Sequence, residues 1–144
     1  MSCSVDVNVL LHTSDTGCAE HAKAAEFVAA CAADKELWCL AWLTLMSFMQ
    51  MATHQTIFTK PLSHEEAARN VDSLLALPQL RVIDEGPDFW ARYREVAQEA
   101  PVRDNLVPDA HLVAVLRQHG VNTVYTRDRD FSNFSGSKVI DPLV

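Results

Sequence analysis

Long apolar runs and leader segments are missing from this sequence. No stretch approaches the roughly 18–20 consecutive apolar residues that a membrane span needs. The N-terminus lacks the basic region, apolar stretch and cleavage site of a secretory signal. Internal repeats, linkers and low-complexity segments are absent from the sequence as well. These absences predict a cytoplasmic protein that has no membrane partner.

Cysteine pairs of the metal-binding or redox type are also missing. The four cysteines, Cys3, Cys18, Cys31 and Cys39, all lie in the first third of the chain, and no two of them form a Cys-x-x-Cys pair. This spacing argues against a zinc or redox site. We therefore expect buried free thiols in a protein that works in a reducing cytoplasm.

Positive charge is scarce. The chain has 12 lysines and arginines against 19 aspartates and glutamates, which gives a formal net charge of −7. A protein that simply coats nucleic acid is usually basic. Either the partner is not nucleic acid, then, or the acids are concentrated at one functional spot; a basic protein partner also fits this charge.

What the sequence does contain is a regular alternation of strand and helix patterns. A chain of 144 residues, 49% of them apolar, predicts one globular domain over residues 1–144. The predicted strands cover 2–6, 36–41, 80–85, 123–126 and 138–143, and the predicted helices cover 19–33, 42–54, 61–77, 87–100 and 107–120, with a turn or helix start after residue 6. This alternation indicates an α/β fold with a mainly parallel sheet.

Carboxylates stand where these elements end or begin. Asp6 ends the first predicted strand, Asp128 and Asp130 follow the strand “VYT”, and Asp109 opens a helix. Taken singly, Asp109 is an ordinary helix N-terminal acid, and the Asp128 and Asp130 pair are ordinary loop acids. However, the carboxyl ends of parallel strands share one edge of the sheet, where ligand sites lie. Clustered carboxylates repel unless a cation is bound, and Mg²⁺ or Mn²⁺ prefers such oxygen ligands.

Three motifs carry a resemblance to a known family. In order along the chain, “VDVNVLL” (5–11), “PDAHLVAVLRQHG” (108–120) and “VYTRDRDF” (124–131) resemble the motifs of a PIN-domain ribonuclease of the VapC toxin type. The resemblance runs nearly end to end. It implies a three-layer α/β/α sandwich with a parallel central sheet, a Mg²⁺ or Mn²⁺ site, and endonucleolytic cleavage of RNA. It also implies a toxin–antitoxin pair with a cognate VapB-type antitoxin, and a homodimer.

The resemblance also assigns roles to residues. It places Asp6, Asp109 and Asp128 as the catalytic acids that bind the metal, with Asp130 as a second acid of the last motif. Two polar residues stand beside these motifs, and we expect them to orient the ligands by hydrogen bonds: Asn8 and Thr126.

One position departs from the family pattern. Many PIN nucleases carry a glutamate on the helix after the second strand, and “MSFMQMAT” (46–53) places Ser47 there. A serine has no charge, so we expect Asp130 or water to take the place of the glutamate. The alternative is a catalytically weak PIN domain that acts as a binding module for RNA or an antitoxin.

The arginines and the apolar segment leave two interpretations open. Arg103, Arg127 and Arg129 flank the acids, and they either contact RNA phosphates or neutralise neighbouring acids. The apolar segment 38–51 is expected to pack in the core, and part of it can instead serve a dimer face or an antitoxin groove.

A phospho-acceptor signalling domain also gathers acids around Mg²⁺ on a parallel sheet. That design needs an acid pair after the first strand and a lysine after the last. Here Asp6 stands alone after the first strand, and Lys138 precedes a strand. The pattern therefore argues against this class.

Overall fold

The structure, a computed structural model, describes residues 2–58 and 60–144. Strands and helices alternate through these residues as the sequence predicts. In chain order they are β1 (Cys3–Val5), α1 (Val7–Ser14), α2 (His21–Ala33), β2 (Trp38–Ala41), α3 (Trp42–Ala52), α4 (His64–Leu75), β3 (Leu80–Ile83), α5 (Phe89–Ala97), α6 (Leu106–Gln118), β4 (Thr123–Tyr125), a 3₁₀ helix (Arg129–Asn133) and β5 (Lys138–Ile140).

The five strands form one parallel sheet in the order β3-β2-β1-β4-β5. The prediction of a parallel α/β fold is therefore confirmed. Each strand is shorter than its predicted run, because the apolar pattern continues into the turns at the strand ends. Since β1 lies between β2 and β4, the chain winds outward from β1 in both directions, and the strand order reverses there.

Helices cover both faces of the sheet. Successive side chains of a strand point to opposite faces. Trp38 and Leu40 accordingly pack in a core cluster with side chains of α1, α3 and α4, whereas Cys39 and Ala41 pack in a second cluster with side chains of α5 and α6. This arrangement is the expected three-layer α/β/α sandwich.

Helix ends follow local sequence signals. A capping box is present at the start of α4, where the Ser63 hydroxyl accepts from the Glu66 backbone N–H and the Glu66 carboxylate accepts from the Ser63 N–H, both at 3.1 Å. After α6 the chain turns at Gly120, whose φ of +70° is a left-handed value that glycine adopts without steric cost. These signals mark the start of α4 and the end of α6.

Apolar side chains are divided between core and surface. Trp38 and Phe48 are fully buried, but Trp42 and Met46 of α3 are exposed. The prediction of core packing for segment 38–51 therefore holds only in part. Within the described residues, no helix combines the length and apolarity that crossing a membrane requires.

All four cysteines are free, as predicted. Only Cys39 is buried; Cys3, Cys18 and Cys31 are half-buried, so the expectation of buried thiols is wrong for these three. Cys3 of β1 and Cys31 of α2 pack against a core cluster as partly buried side chains. Cys18 lies in the loop between α1 and α2.

Candidate active site

Strand pairing brings the first and last acidic motifs together. Val5 of β1 and Tyr125 of β4 are register partners in the parallel sheet. The residues that follow them, Asp6 and Thr126, therefore leave the same sheet edge side by side. The Thr126 hydroxyl donates a hydrogen bond to Asp6 Oδ2 at 2.8 Å.

Asn8 and the backbone complete the surroundings of Asp6. The Asn8 amide donates to Asp6 Oδ2 at 3.3 Å and to Thr126 Oγ1 at 3.2 Å. The Val7 N–H donates to Asp6 Oδ1 at 2.7 Å, which makes Asp6 the N-cap of α1. The Asp128 N–H donates to Thr126 Oγ1 at 2.9 Å. These hydrogen bonds fix the Asp6 carboxylate in one orientation and tie it to the loop after β4.

Three further carboxylates meet at the same edge. Asp109, in the first turn of α6, Asp128 and Asp130 each offer an oxygen within 4.8 Å of the other two. Asp128 Oδ1 also accepts from the Asp130 N–H at 2.9 Å, so Asp128 is the N-cap of the 3₁₀ helix. The Asp130 side chain is exposed and joins the acidic cluster.

A pocket of about 330 Å³ lies between these acids and α3. Asp6, Asp109 and Asp128 line it together, so the predicted convergence of the three acidic motifs is present. Asp130 lies outside the lining, at the rim. The other lining residues that carry polar side chains are Asn8, Thr44, Ser47 and Asn105.

The acidic cluster changes the ionisation of Asp109. Burial raises the pKa of Asp109 to about 7, and the negative charges of Asp128, Asp6 and Asp130 contribute to this rise. A carboxylate with so high a pKa lacks a positive partner nearby. Bringing a divalent cation into the pocket would reverse this effect, because the cation stabilises the ionised carboxylate.

The pKa of Asp6 is raised by some of its neighbours and lowered by others. Burial raises the pKa of Asp6, and the charge of Asp128 adds to the rise, whereas the hydrogen bonds from Thr126 and the Val7 N–H lower it. Only 8% of Asp6 is exposed to solvent. Charged carboxylates are rarely buried to this extent unless they are paired or bind a metal.

Ser47 and Thr44 line the α3 side of the pocket. Ser47 faces the acids, as its position in the family pattern predicts, and it brings no charge. Within the described part of the chain, the Thr44 hydroxyl is buried without a hydrogen-bond partner. Buried hydroxyls normally have a partner, and a water or ligand in the pocket would supply one. This donor set of carboxylates and hydroxyls fits a hard divalent cation with its waters.

The three arginines differ in their surroundings. Arg127 pairs with Asp141 at 3.4 Å and with Glu20 at 3.6 Å, so it neutralises neighbouring acids. Arg103 and Arg129 are exposed to solvent. Arg127 therefore neutralises local acids in the folded chain, and contact with RNA remains a prediction for all three arginines.

Two residues of the pocket carry no sequence signal that marks them. Thr44 lies in a segment whose pattern indicates only a buried helix, and Asn105 lies in a loop with several polar residues. The sequence does not distinguish a hydroxyl or amide that faces a pocket from one that faces solvent. Their positions follow from the packing of α3 and α6 around the end of β1.

Comparison with known proteins gives the family. The PIN domain family matches residues 4–136. The chain is 39% identical over 143 residues to Ribonuclease VapC48 of Mycobacterium tuberculosis, and the match covers 99% of each chain. The chain therefore belongs to the PIN-domain family. Within that family it is a VapC-type ribonuclease, the toxin class of toxin–antitoxin pairs.

Solved structures share the fold. The crystal structure of Mycobacterium tuberculosis VapC20, a Sarcin-Ricin loop cleaving toxin, superposes with a TM-score of 0.67 at 20% identity, covering 90% of this chain and 92% of that one. A toxin–antitoxin complex from Klebsiella pneumoniae gives a TM-score of 0.62 at 20% identity, covering 97% of each chain. The alternative of a catalytically weak PIN domain that acts as a binding module is not favoured, because Ribonuclease VapC48 is 39% identical to the chain over nearly its full length.

Proposed function

We propose that the chain is an endoribonuclease toxin that depends on Mg²⁺ or Mn²⁺ and cleaves RNA at the pocket between Asp6, Asp109 and Asp128. The observation that carries this proposal is the convergence of carboxylates from three distant segments on one partly buried pocket. Without a cation, the burial and the mutual repulsion of these carboxylates oppose folding, and both raise the pKa of Asp109. Relatives that are named ribonucleases support the reaction class.

The residues of the pocket have different roles in such a site. Asp6, Asp109 and Asp128 would hold the metal, which when bound supplies a water of lowered pKa and stabilises negative charge on the scissile phosphate. Thr126 and Asn8 keep the Asp6 carboxylate oriented through their hydrogen bonds. This orientation is set before any ligand arrives, because the hydrogen bonds belong to the folded chain.

Asp130 is a fourth acid near the metal site, and Ser47 stands where other members of the family have a glutamate. Asp130 lies within 4.8 Å of Asp109 and Asp128 through carboxylate oxygens and is open to solvent. We assign it the charge that a glutamate at position 47 would otherwise supply. Ser47 then contributes a hydroxyl that hydrogen-bonds to water in the pocket.

RNA is held at the rim of this pocket. Arg103 and Arg129 are exposed near the acids in the chain and are the residues that we assign to phosphate contacts. Arg127 keeps its ion pairs with Glu20 and Asp141 and orders the loop after β4. The negative overall charge is compatible with RNA binding, because the acids concentrate where a metal would neutralise them.

The partners belong to the same proposal. We assign the chain a cognate VapB-type antitoxin, a homodimeric state, a single domain over residues 1–144 and a cytoplasmic location. Solved toxin–antitoxin complexes of the same fold support an antitoxin partner. Trp42 and Met46 are exposed on α3 and offer an apolar surface for one of the two protein contacts.

RNA cleavage in the presence and absence of metal tests this function. The purified chain should cleave RNA with Mg²⁺ or Mn²⁺ and stop when a chelator is added. Asp128→Asn should behave like the chelated parent, whereas Asp72→Asn, which changes an exposed acid on α4, should cleave normally. Cleavage that continues unchanged in a chelator would contradict the proposed metal dependence.

A further inference from the structure

A second group of metal-ligating side chains lies at the corner between α1 and α2. His12 is in the last turn of α1, Cys18 is in the connecting loop, and Glu20 directly precedes α2. His12 Nδ1 lies 3.4 Å from Cys18 Sγ and 3.8 Å from Glu20 Oε2. One ligand atom from each residue lies within 4.8 Å of the other two.

These distances match the geometry of a tetrahedral zinc site. Zinc binds sulfur at about 2.3 Å and nitrogen or carboxylate oxygen at about 2.0–2.2 Å. Two ligands of a tetrahedron with such bonds are separated by roughly 3.5 Å. Both measured distances from His12 Nδ1 lie close to this value, so an ion can enter with only small side-chain adjustments.

We propose that His12, Cys18 and Glu20 form a zinc-binding site, with a water molecule as the fourth ligand. The donor set contains imidazole nitrogen, thiolate sulfur and carboxylate oxygen, which suits Zn²⁺ and is unsuited to Mg²⁺. The site is separate from the acidic pocket, whose lining includes none of these three residues. It links the end of α1 to the start of α2.

The loop that carries Cys18 is held in place by backbone hydrogen bonds. The Cys18 N–H donates to the Asp15 carbonyl at 3.2 Å, and the His21 N–H donates to the Cys18 carbonyl at 3.3 Å. His21 Nδ1 also lies 3.0 Å from the His12 carbonyl oxygen. The three ligands are thus positioned before metal arrives, which reduces the ordering cost of binding.

Glu20 is oriented by a neighbour. Its Oε2 faces His12, and its other oxygen, Oε1, lies 3.6 Å from Arg127 Nη1. Partners of this kind commonly orient the carboxylates that bind metals. Arg127 follows β4 and its backbone N–H contacts Asn8 Oδ1 at 3.4 Å, so the zinc site is connected to the edge of the acidic pocket.

The charges around Cys18 favour a cation. Asp15 and Glu20 place negative charge close to the Cys18 thiol. A divalent cation is attracted to this charge and would bind Cys18 as its thiolate.

Zinc titration of paired cysteine variants tests the proposal. Each protein would carry Asp109→Asn and Asp128→Asn, so that the acidic pocket does not compete for the ion. Calorimetry should show one Zn²⁺ bound per chain, with the affinity reduced at least tenfold by Cys18→Ser and unchanged by Cys31→Ser, which alters another half-buried thiol. Equal zinc affinity in both variants, or no zinc binding by their shared parent, would overturn the proposal.

Cobalt and a second pair of variants identify the ligands directly. Co²⁺ bound to a thiolate gives a charge-transfer absorption, which should be present in the parent and Cys31→Ser and lost in Cys18→Ser. Glu20→Gln should weaken zinc binding, whereas Glu26→Gln, an exposed change on α2, should not. Thermal unfolding without metal checks folding: Cys18→Ser should unfold like the parent without zinc and lack the stabilisation that zinc gives the parent. An absorption that survives Cys18→Ser would show that the thiolate ligand lies elsewhere.

Discussion

The Thr126 hydroxyl donates a hydrogen bond to Asp6 Oδ2 at 2.8 Å, although 120 positions separate the two residues in the chain. The same oxygen of Thr126 accepts from the Asn8 amide and from the Asp128 N–H. A hydroxyl has one hydrogen to donate and two lone pairs to accept with, so Thr126 uses its full capacity. This one side chain connects the first and last acidic motifs.

Thr126→Val should loosen this connection. Valine has nearly the same shape, but the Asn8 amide, the Asp128 N–H and the Asp6 carboxylate each lose a partner. Loss of a buried hydrogen-bond partner costs about 1–3 kcal/mol, and RNA cleavage should fall roughly 10–100-fold, as for other groups that orient metal ligands. Thr123→Val on β4, the strand that Thr126 follows, changes another buried threonine and serves as the control in urea unfolding and cleavage assays. Equal losses in the two variants would contradict the special role of Thr126.

Asp109→Asn should stabilise the metal-free protein at alkaline pH. Because the folded pKa of Asp109 is about 7 and its ordinary value is 3.8, the folded chain holds an extra proton between these pH values. Stability therefore falls as the pH rises through this range, and the penalty is complete above pH 7. The variant removes the penalty.

We expect about 1–2 kcal/mol of stabilisation at pH 8, which is less than the full shift implies, because solvent screens the half-exposed carboxylate. At pH 4 the gain should be close to zero. Urea unfolding in the presence of a chelator at both pH values measures it. A gain that does not change with pH would assign the effect to packing and not to ionisation.

Asp6→Asn should abolish RNA cleavage and toxicity while leaving folding intact or slightly improved. The substitution removes a charge that burial and the Asp128 charge both disfavour, and this gain offsets the loss of the oxygen that accepts from Thr126 and Asn8. It keeps an oxygen that can accept from the Val7 N–H. It also removes one carboxylate from the pocket. Growth arrest on expression and thermal unfolding measure the two effects. Asp72→Asn on α4 controls for expression, and an Asp6→Asn chain that remains toxic at equal expression would refute a catalytic role for Asp6.

Ser47→Glu should tighten Mn²⁺ binding. Ser47 lines the pocket with Asp6 and Asp109, so a glutamate there adds an acid to the metal site. If Asp130 replaces the glutamate of the family, Asp130→Asn should weaken Mn²⁺ binding, and Ser47→Glu should partly restore it. Calorimetric titration of the parent, the two single variants and the double variant decides. Unchanged Mn²⁺ affinity in Asp130→Asn would leave Asp130 with a structural role in the 3₁₀ helix.

Local signals in the sequence were sufficient for the elements of the fold. The Ser63–Glu66 capping box and the glycine at position 120 mark helix ends that the structure confirms, because capping depends on residues a few positions apart. The order of strand and helix patterns along the chain predicted the parallel sheet, because each pattern can be identified within a short segment. The acidic motifs predicted the pocket, since strand ends of a parallel sheet share an edge.

Tertiary structure alone decided which side chains meet. The family resemblance predicts that Thr126 orients a metal ligand, but no local pattern says that this ligand is Asp6; the contact exists because β1 and β4 are neighbours with Val5 opposite Tyr125. The spacing of the cysteines argues against a zinc site, yet the turn between α1 and α2 places Cys18 Sγ 3.4 Å from His12 Nδ1. Periodicity and capping reach only a few residues along the chain. Contacts across the sheet and around a helix corner depend on how whole elements pack, and a single sequence does not encode that packing in any local pattern.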